Sequence, residues 1–143
     1  MDNKQQLITQ VLIKTSQLSY LLLAELAQLL KNYDLSEPQF NVLRILRGAK
    51  GEALNLFQIN ERMIHKSSNT TRLIDKLREK RLIDTRICPG NRRKMDININ
   101  DAGMELLSDI DPYFDEFRKD IDSRISDDEA RTLNTLLDKL SSI

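Results

Sequence analysis

The chain has 143 residues, with 22 Lys or Arg balanced by 22 Asp or Glu, 40% hydrophobic residues, one cysteine and one histidine. Such a length corresponds to about one domain, and the apolar fraction is too high for a disordered chain. The lone Cys88 excludes an intrachain disulfide and a cysteine-based zinc site, and Met1-Asp2-Asn3-Lys4-Gln5-Gln6 lacks the charged-then-apolar order of a secretory signal.

No apolar run is read as approaching the ~18 residues that cross a bilayer, so a cytoplasmic protein with no membrane partner is expected. The balanced charge is segregated. Residues 1–60 carry a net +1, residues 61–100 hold eleven basic against five acidic groups, and residues 101–143 carry a net −7. A cationic middle third is a surface for a polyanion. The acidic third interleaves its charges with apolar residues at helical spacing, as a solvated helix face does.

Residues 1–33 contain no Gly or Pro and predict one long helix. Its apolar positions, Leu7, Ile8, Val11, Leu12, Leu18, Leu22, Ala24, Leu26, Leu29 and Leu30, are too many for one buried stripe, which implies cover by a second subunit. Ser36 with Gln39 forms a capping box for a second helix from Glu37 to Arg47, with Pro38 tolerated in the first turn and Phe40, Val42, Leu43, Ile45 and Leu46 on the core side. Gly48 and Gly51 bracket a loop, Leu54 suggests a short strand, and Asn55 caps a third helix, Leu56–Met63, buried through Leu56, Ile59 and Met63.

His65-Lys66-Ser67-Ser68 is a short turn, as a helix-turn-helix requires, before a fourth helix from Ser68 to Lys80. At 100° per residue, Thr70, Leu73, Ile74 and Leu77 share one side of it. Ser68, Arg72, Asp75 and Glu79 centre the other, flanked by Thr71 and Lys76. Two alternating stretches follow: Ile83, Thr85 and Ile87 share one face, as do Met95, Ile97 and Ile99. The five residues Pro89 to Arg93 between them make a hairpin with a cationic tip, Arg92-Arg93-Lys94.

Asn100 caps a helix starting at Asp101, which Pro112 is expected to kink or interrupt. Tyr113, Phe114, Phe117, Ile121 and Ile125 continue its apolar stripe. Ser126 and Glu129 open a last helix with Leu133, Leu136, Leu137 and Leu140 on its buried side. The fold expected is mainly α with a small antiparallel β-hairpin. A winged helix-turn-helix lobe over residues 36–100 lies between terminal helices over 1–33 and 101–143, all in one domain.

A helix that lies in a major groove beside a cationic loop that reaches the minor groove suits double-stranded DNA. Asn69 and Arg72 can make bidentate contacts to adenine and guanine edges, each worth ~1–3 kcal/mol of discrimination.

The run Thr71-Arg72-Leu73-Ile74-Asp75-Lys76-Leu77-Arg78-Glu79-Lys80-Arg81-Leu82-Ile83, with Arg92-Arg93 and Asn100-Asp101-Ala102-Gly103, resembles the MarR family (multiple antibiotic resistance regulators) of bacterial transcription factors. The resemblance implies a homodimer held by the N- and C-terminal helices over a roughly palindromic operator. It places Ser68, Asn69, Thr71 and Arg72 in the major groove and Arg92 in the minor groove, with Lys76 and Arg93 on phosphates. Ser67 and Lys94 complete the expected DNA-contacting set.

Two positions depart from the family pattern. Asn91 stands where Asp usually precedes the wing arginine. Arg81 stands where Gly lets the helix end in the left-handed conformation, so a different termination is expected at a position where that geometry would cost roughly 1 kcal/mol.

Some members of the resembled family sense oxidants through cysteine. Cys88, at the base of the wing beside Arg86 and the arginine pair, is the candidate redox sensor. Tyr20, Phe40 and Tyr113 are candidates to line a small-molecule effector pocket, with core packing as the competing role. His65 has no second His or Cys at ligand spacing, so neither metal nor cofactor is expected. The chain has no Gly-rich phosphate loop and no nucleophile elbow, which argues against an enzyme. The function expected is a dimeric repressor released by a small molecule or a redox signal, and the alternative is a winged helix that associates with protein.

Overall fold

In the computed structural model the described residues are 2–66 and 69–142, the side chains of Arg92 and Arg93 excepted. The helices are α1 (Asn3–Lys31), α2 (Glu37–Gly48), α3 (Leu56–Arg62), α4 (Thr70–Glu79), α5 (Asp101–Asp122) and α6 (Asp127–Ser141), and the strands are β1 (Ile83–Cys88) and β2 (Asn91–Ile99). The chain divides into two compact units, Met1–Leu106 and Leu107–Ile143.

Local hydrogen bonds determine where the helices start. Ser36 and Gln39 make the reciprocal capping box of α2, Ser126 and Glu129 that of α6, and Asn55 pairs with Gln58 in the same way at α3. Asn100 accepts from the Gly103 N–H at 2.9 Å to open α5.

The core of the first unit collects Phe40, Val42, Leu43 and Leu46 of α2, Ile59 of α3, Ile74 and Leu77 of α4, and Ile83 and Ile97 of the hairpin. Leu30 is the one buried residue of α1. Leu54 exchanges backbone hydrogen bonds with Ile97 at 3.0 and 2.9 Å, an isolated bridge where a short strand was expected from sequence.

Several expectations change. Pro112 leaves α5 unbroken: the helix runs through it, forgoing the one bond that the missing N–H would have made. Leu133, Leu136, Leu137 and Leu140 form the expected stripe on α6, yet none is buried and each is 41–49% exposed. Helical spacing sets a shared face, whereas burial needs a second surface.

The surface of α1 is apolar and exposed for the same reason, including Leu7, Ile8, Leu12, Ile13, Leu18 and Leu21. By length and composition this 29-residue helix would suffice to cross a bilayer, which corrects the expectation that no stretch would. Tyr20 and Tyr113 are exposed rather than core residues, while Phe40 is buried.

Candidate nucleic-acid interface

The buried side of α4 fixes its rotation. Thr70, Ile74 and Leu77 point into the core, so Thr71, Arg72, Lys76 and Glu79 are exposed on the outward side. Lys76 lies 3.6 Å from Glu79, and Arg78 pairs with Asp75 at 2.9 Å, leaving Thr71 and Arg72 as the hydrogen-bonding groups nearest the N-terminal end.

The helix begins later than its sequence suggested. Asn69 is the exposed N-cap at φ −96°, ψ 16°, outside the helix proper, and the first helical residue is Thr70. Ser67 and Ser68 lie outside the described residues.

Two polar contacts position this end, and neither was foreseen. The Thr70 hydroxyl donates to Asn60 Oδ1 at 2.8 Å, tying α4 to α3. The Ile64 N–H donates to Asn41 Oδ1 at 2.9 Å, tying the turn to α2. Asn41 sits among Phe40, Val42 and Leu43 and is buried like them. A polar residue inside an apolar run is the signal that could have found it, because a buried amide requires a partner.

The other end of α4 closes through a left-handed residue. Arg81 adopts φ 59°, its N–H donates to the Arg78 carbonyl at 2.9 Å, and the Leu82 N–H donates to the Leu77 carbonyl at 3.1 Å. This is the Schellman pattern, with Leu82 brought back against Leu77. The expectation of a different termination is therefore incorrect. Asn100 explains why Arg81 is held there: its Nδ2 donates to the Arg81 carbonyl at 2.9 Å and its backbone N–H to the Leu82 carbonyl at 3.3 Å.

The wing is longer and less regular than expected. Ile83 faces Ile99, Thr85 faces Ile97 and Ile87 faces Met95, so the alternating faces agree with the sequence pattern. Beyond Ile87 the register shifts: Cys88 faces Asn91 and residues 92–94 form a bulge on β2, so Asn91, Arg92 and Arg93 belong to the strand rather than to the expected five-residue loop from Pro89 to Arg93. Only Pro89 and Gly90 turn the chain.

A bulge bends the strand that carries it, here at three consecutive cationic residues. Lys94 is exposed, and of Arg92 and Arg93 only the backbone is described. Ile87 is 62% exposed, because the wing extends past the core that covers Ile83 and Ile97. Arg86 lies directly across from Asp96 at 3.8 Å, and Cys88 is half-buried beside the register break. His65 is exposed in the interhelical turn, and among the described residues no group of three or more His, Cys, Asp or Glu could hold a metal ion.

An amphipathic helix tied to α3 by the Thr70–Asn60 hydrogen bond, backed by α2 and followed by a cationic hairpin defines a winged helix-turn-helix protein. A family model described as the MarR family matches residues 33–94, which run from the turn after α1 into the wing bulge. The HTH-type transcriptional regulator PecS of Dickeya dadantii (strain 3937) is 30% identical over 127 residues, covering 87% of this chain and 76% of PecS. The chain belongs to the MarR family, a family of transcription regulators and not of enzymes.

Solved structures share the fold. A MarR-like transcription regulator from Bacillus cereus ATCC 10987 superposes with a TM-score of 0.77 at 24% identity, covering 96% of this chain and 95% of that one. The S. aureus MepR–DNA complex gives a TM-score of 0.82 at 21% identity, over 91% and 94% of the two chains.

Proposed function

We propose that two copies of this chain pair through the apolar faces of α1 and α6 and present two α4 helices to successive turns of a roughly palindromic DNA operator. The observation that carries this reading is the division of α4, with Thr70, Ile74 and Leu77 buried and Thr71, Arg72 and Lys76 facing out beside a cationic wing. The exposed leucines of α1 and α6 support the pairing, since apolar surface of that extent marks an interface. Membership of a family of transcription regulators, and a fold shared with a protein solved on DNA, support the ligand.

In this reading Asn69, Thr71 and Arg72 read base edges in the major groove, together with Ser67 and Ser68. Arg92 enters the minor groove, and Lys76, Arg93 and Lys94 hold phosphates. The protein acts in the cytoplasm as a repressor. A small molecule or redox signal that binds one separation of the two heads better than another lowers operator affinity by that difference alone.

The test is binding to duplexes selected from random sequence, followed across salt. Arg72→Ala should lower affinity and relax preference at one base pair, by ~1–3 kcal/mol. Lys94→Ala should weaken all sequences about equally and reduce the salt slope by ~0.9. Absence of duplex binding at low salt would instead favour a winged helix that associates with protein.

A further inference from the structure

Resting on the dimeric DNA-binding reading, we infer that Lys80 is a positioning residue that couples the orientation of α1, the arm proposed to hold the dimer, to that of α4. Two stretches remote in sequence, the α1–α2 connection and the end of α4, meet at its ammonium group. Lys80 is the C-cap of α4, and its Nζ donates to the backbone carbonyl of Asp34 and to Gln39 Oε1 at 3.1 Å, with the Asp34 carboxylate at 3.6 Å.

Each acceptor is itself fixed. Asp34 is held at φ 52° in the turn that ends α1, where its N–H donates to the Lys31 carbonyl and the Leu35 N–H to the Leu30 carbonyl. Gln39 Oε1 also accepts the Ser36 N–H at 3.2 Å in the capping box of α2. Two hydrogen bonds and one ion pair from a single nitrogen thus join the turn that follows α1, the first turn of α2 and the end of α4. The Lys80 side chain is 28% exposed, while the Asp34 side chain is fully exposed, so the lysine is the sequestered member of the pair.

That arrangement removes Lys80 from the cations available to phosphate and gives it another role. The ten residues of α4 form a rigid rod about 15 Å long, and Lys80 stands at the end opposite Asn69, Thr71 and Arg72. A tilt of α1 draws the Asp34 turn with it, and the ammonium carries that displacement to α4. The separation of two reading heads is then set by the dimer arm rather than by the compliance of each lobe.

The experiment compares wild type with Lys80→Met on a selected operator, and on versions with one or two base pairs added or removed between half-sites. A coupled dimer should bind the best spacing about tenfold or more over the altered ones, because each added pair rotates one half-site about the helix axis. K80M should compress that ratio to below about threefold while keeping the wild-type salt slope, and Lys80→Arg should restore most of it. Nitroxides on the single Cys88 of each subunit provide a readout without DNA: one narrow inter-label distance in wild type and a broadened one in K80M.

Circular dichroism and urea unfolding verify that the variant is folded, and Lys80→Gln, uncharged and one atom shorter, serves if K80M is not. Wild-type spacing selectivity together with an unbroadened distance in the folded variant overturns the inference. A salt slope reduced by ~0.9 overturns it in favour of a phosphate contact. A wild-type protein that binds no duplex, or gives no inter-label distance, overturns the dimeric DNA-binding reading and this inference with it.

Discussion

Gly103→Ala is a small change with a large expected effect. Gly103 lies in the first turn of α5, and a Cβ built there would stand 2.3 Å from the Leu82 carbonyl oxygen and 2.7 Å from Ile99 Cγ1. The isoleucine side chain can turn aside, but the carbonyl cannot. Leu82 is held through its N–H to Leu77 at 3.1 Å, and its oxygen accepts the Asn100 N–H at 3.3 Å.

The start of α5 must therefore lift by about 1 Å to regain van der Waals separation. Overpacking of this kind costs about 1–3 kcal/mol, and a strained or lost Asn100–Leu82 hydrogen bond adds about 1 kcal/mol. Alanine's better helix propensity returns up to about 1 kcal/mol, for a net loss of about 2 kcal/mol, or about 30-fold in the folding equilibrium. With a urea m-value of about 2 kcal/mol/M, the unfolding midpoint should fall by about 1 M at fixed protein concentration. Gly48→Ala is the matched control, since a Cβ there meets nothing within 4 Å. A G103A protein that unfolds at or above the wild-type midpoint would refute the packing argument.

Three further outcomes are expected. Arg81→Gly relieves a left-handed side-chain residue and should raise stability by about 0.5–1 kcal/mol, read as an increased urea midpoint with α4 intact; a decrease would show that the Arg81 side chain makes a stabilising contact. Leu136→Glu places a carboxylate in the exposed stripe of α6 and should weaken self-association by about a hundredfold or more without changing helix content, measured by sedimentation equilibrium; an unaltered dimer would exclude that stripe from the interface. Cys88→Ser should abolish any loss of duplex affinity on peroxide treatment, and an unchanged peroxide response in the variant removes Cys88 as a sensor.

Much of the fold was legible because its signals are local. The capping box at Ser36 with Gln39, the Asn55 cap and the Ser126–Glu129 box each act within four residues, so spacing along the chain is enough to read them. The face of α4 followed from its 100° periodicity, and the facing pairs Ile83–Ile99, Thr85–Ile97 and Ile87–Met95 from their two-residue alternation. The outward placement of Thr71, Arg72 and Lys76 was therefore available from sequence, and so was the resemblance in the middle third.

What only the tertiary structure decided depends on contacts between residues far apart in the chain. The wing bulge is one case, because it follows from a register anchored by Ile83 opposite Ile99, a pairing between two strands that local β-propensity does not encode. The left-handed Arg81 is another: in isolation that residue avoids the conformation, and it is held there by Asn100, 19 residues on. Asn41 reaches Ile64 across 23 residues and Lys80 reaches Asp34 across 46, so neither polar group disclosed its partner beforehand. The leucines of α6 make the same point from the other side. Their spacing defined a stripe, but a stripe becomes core only when another surface covers it, and that geometry belongs to the folded molecule.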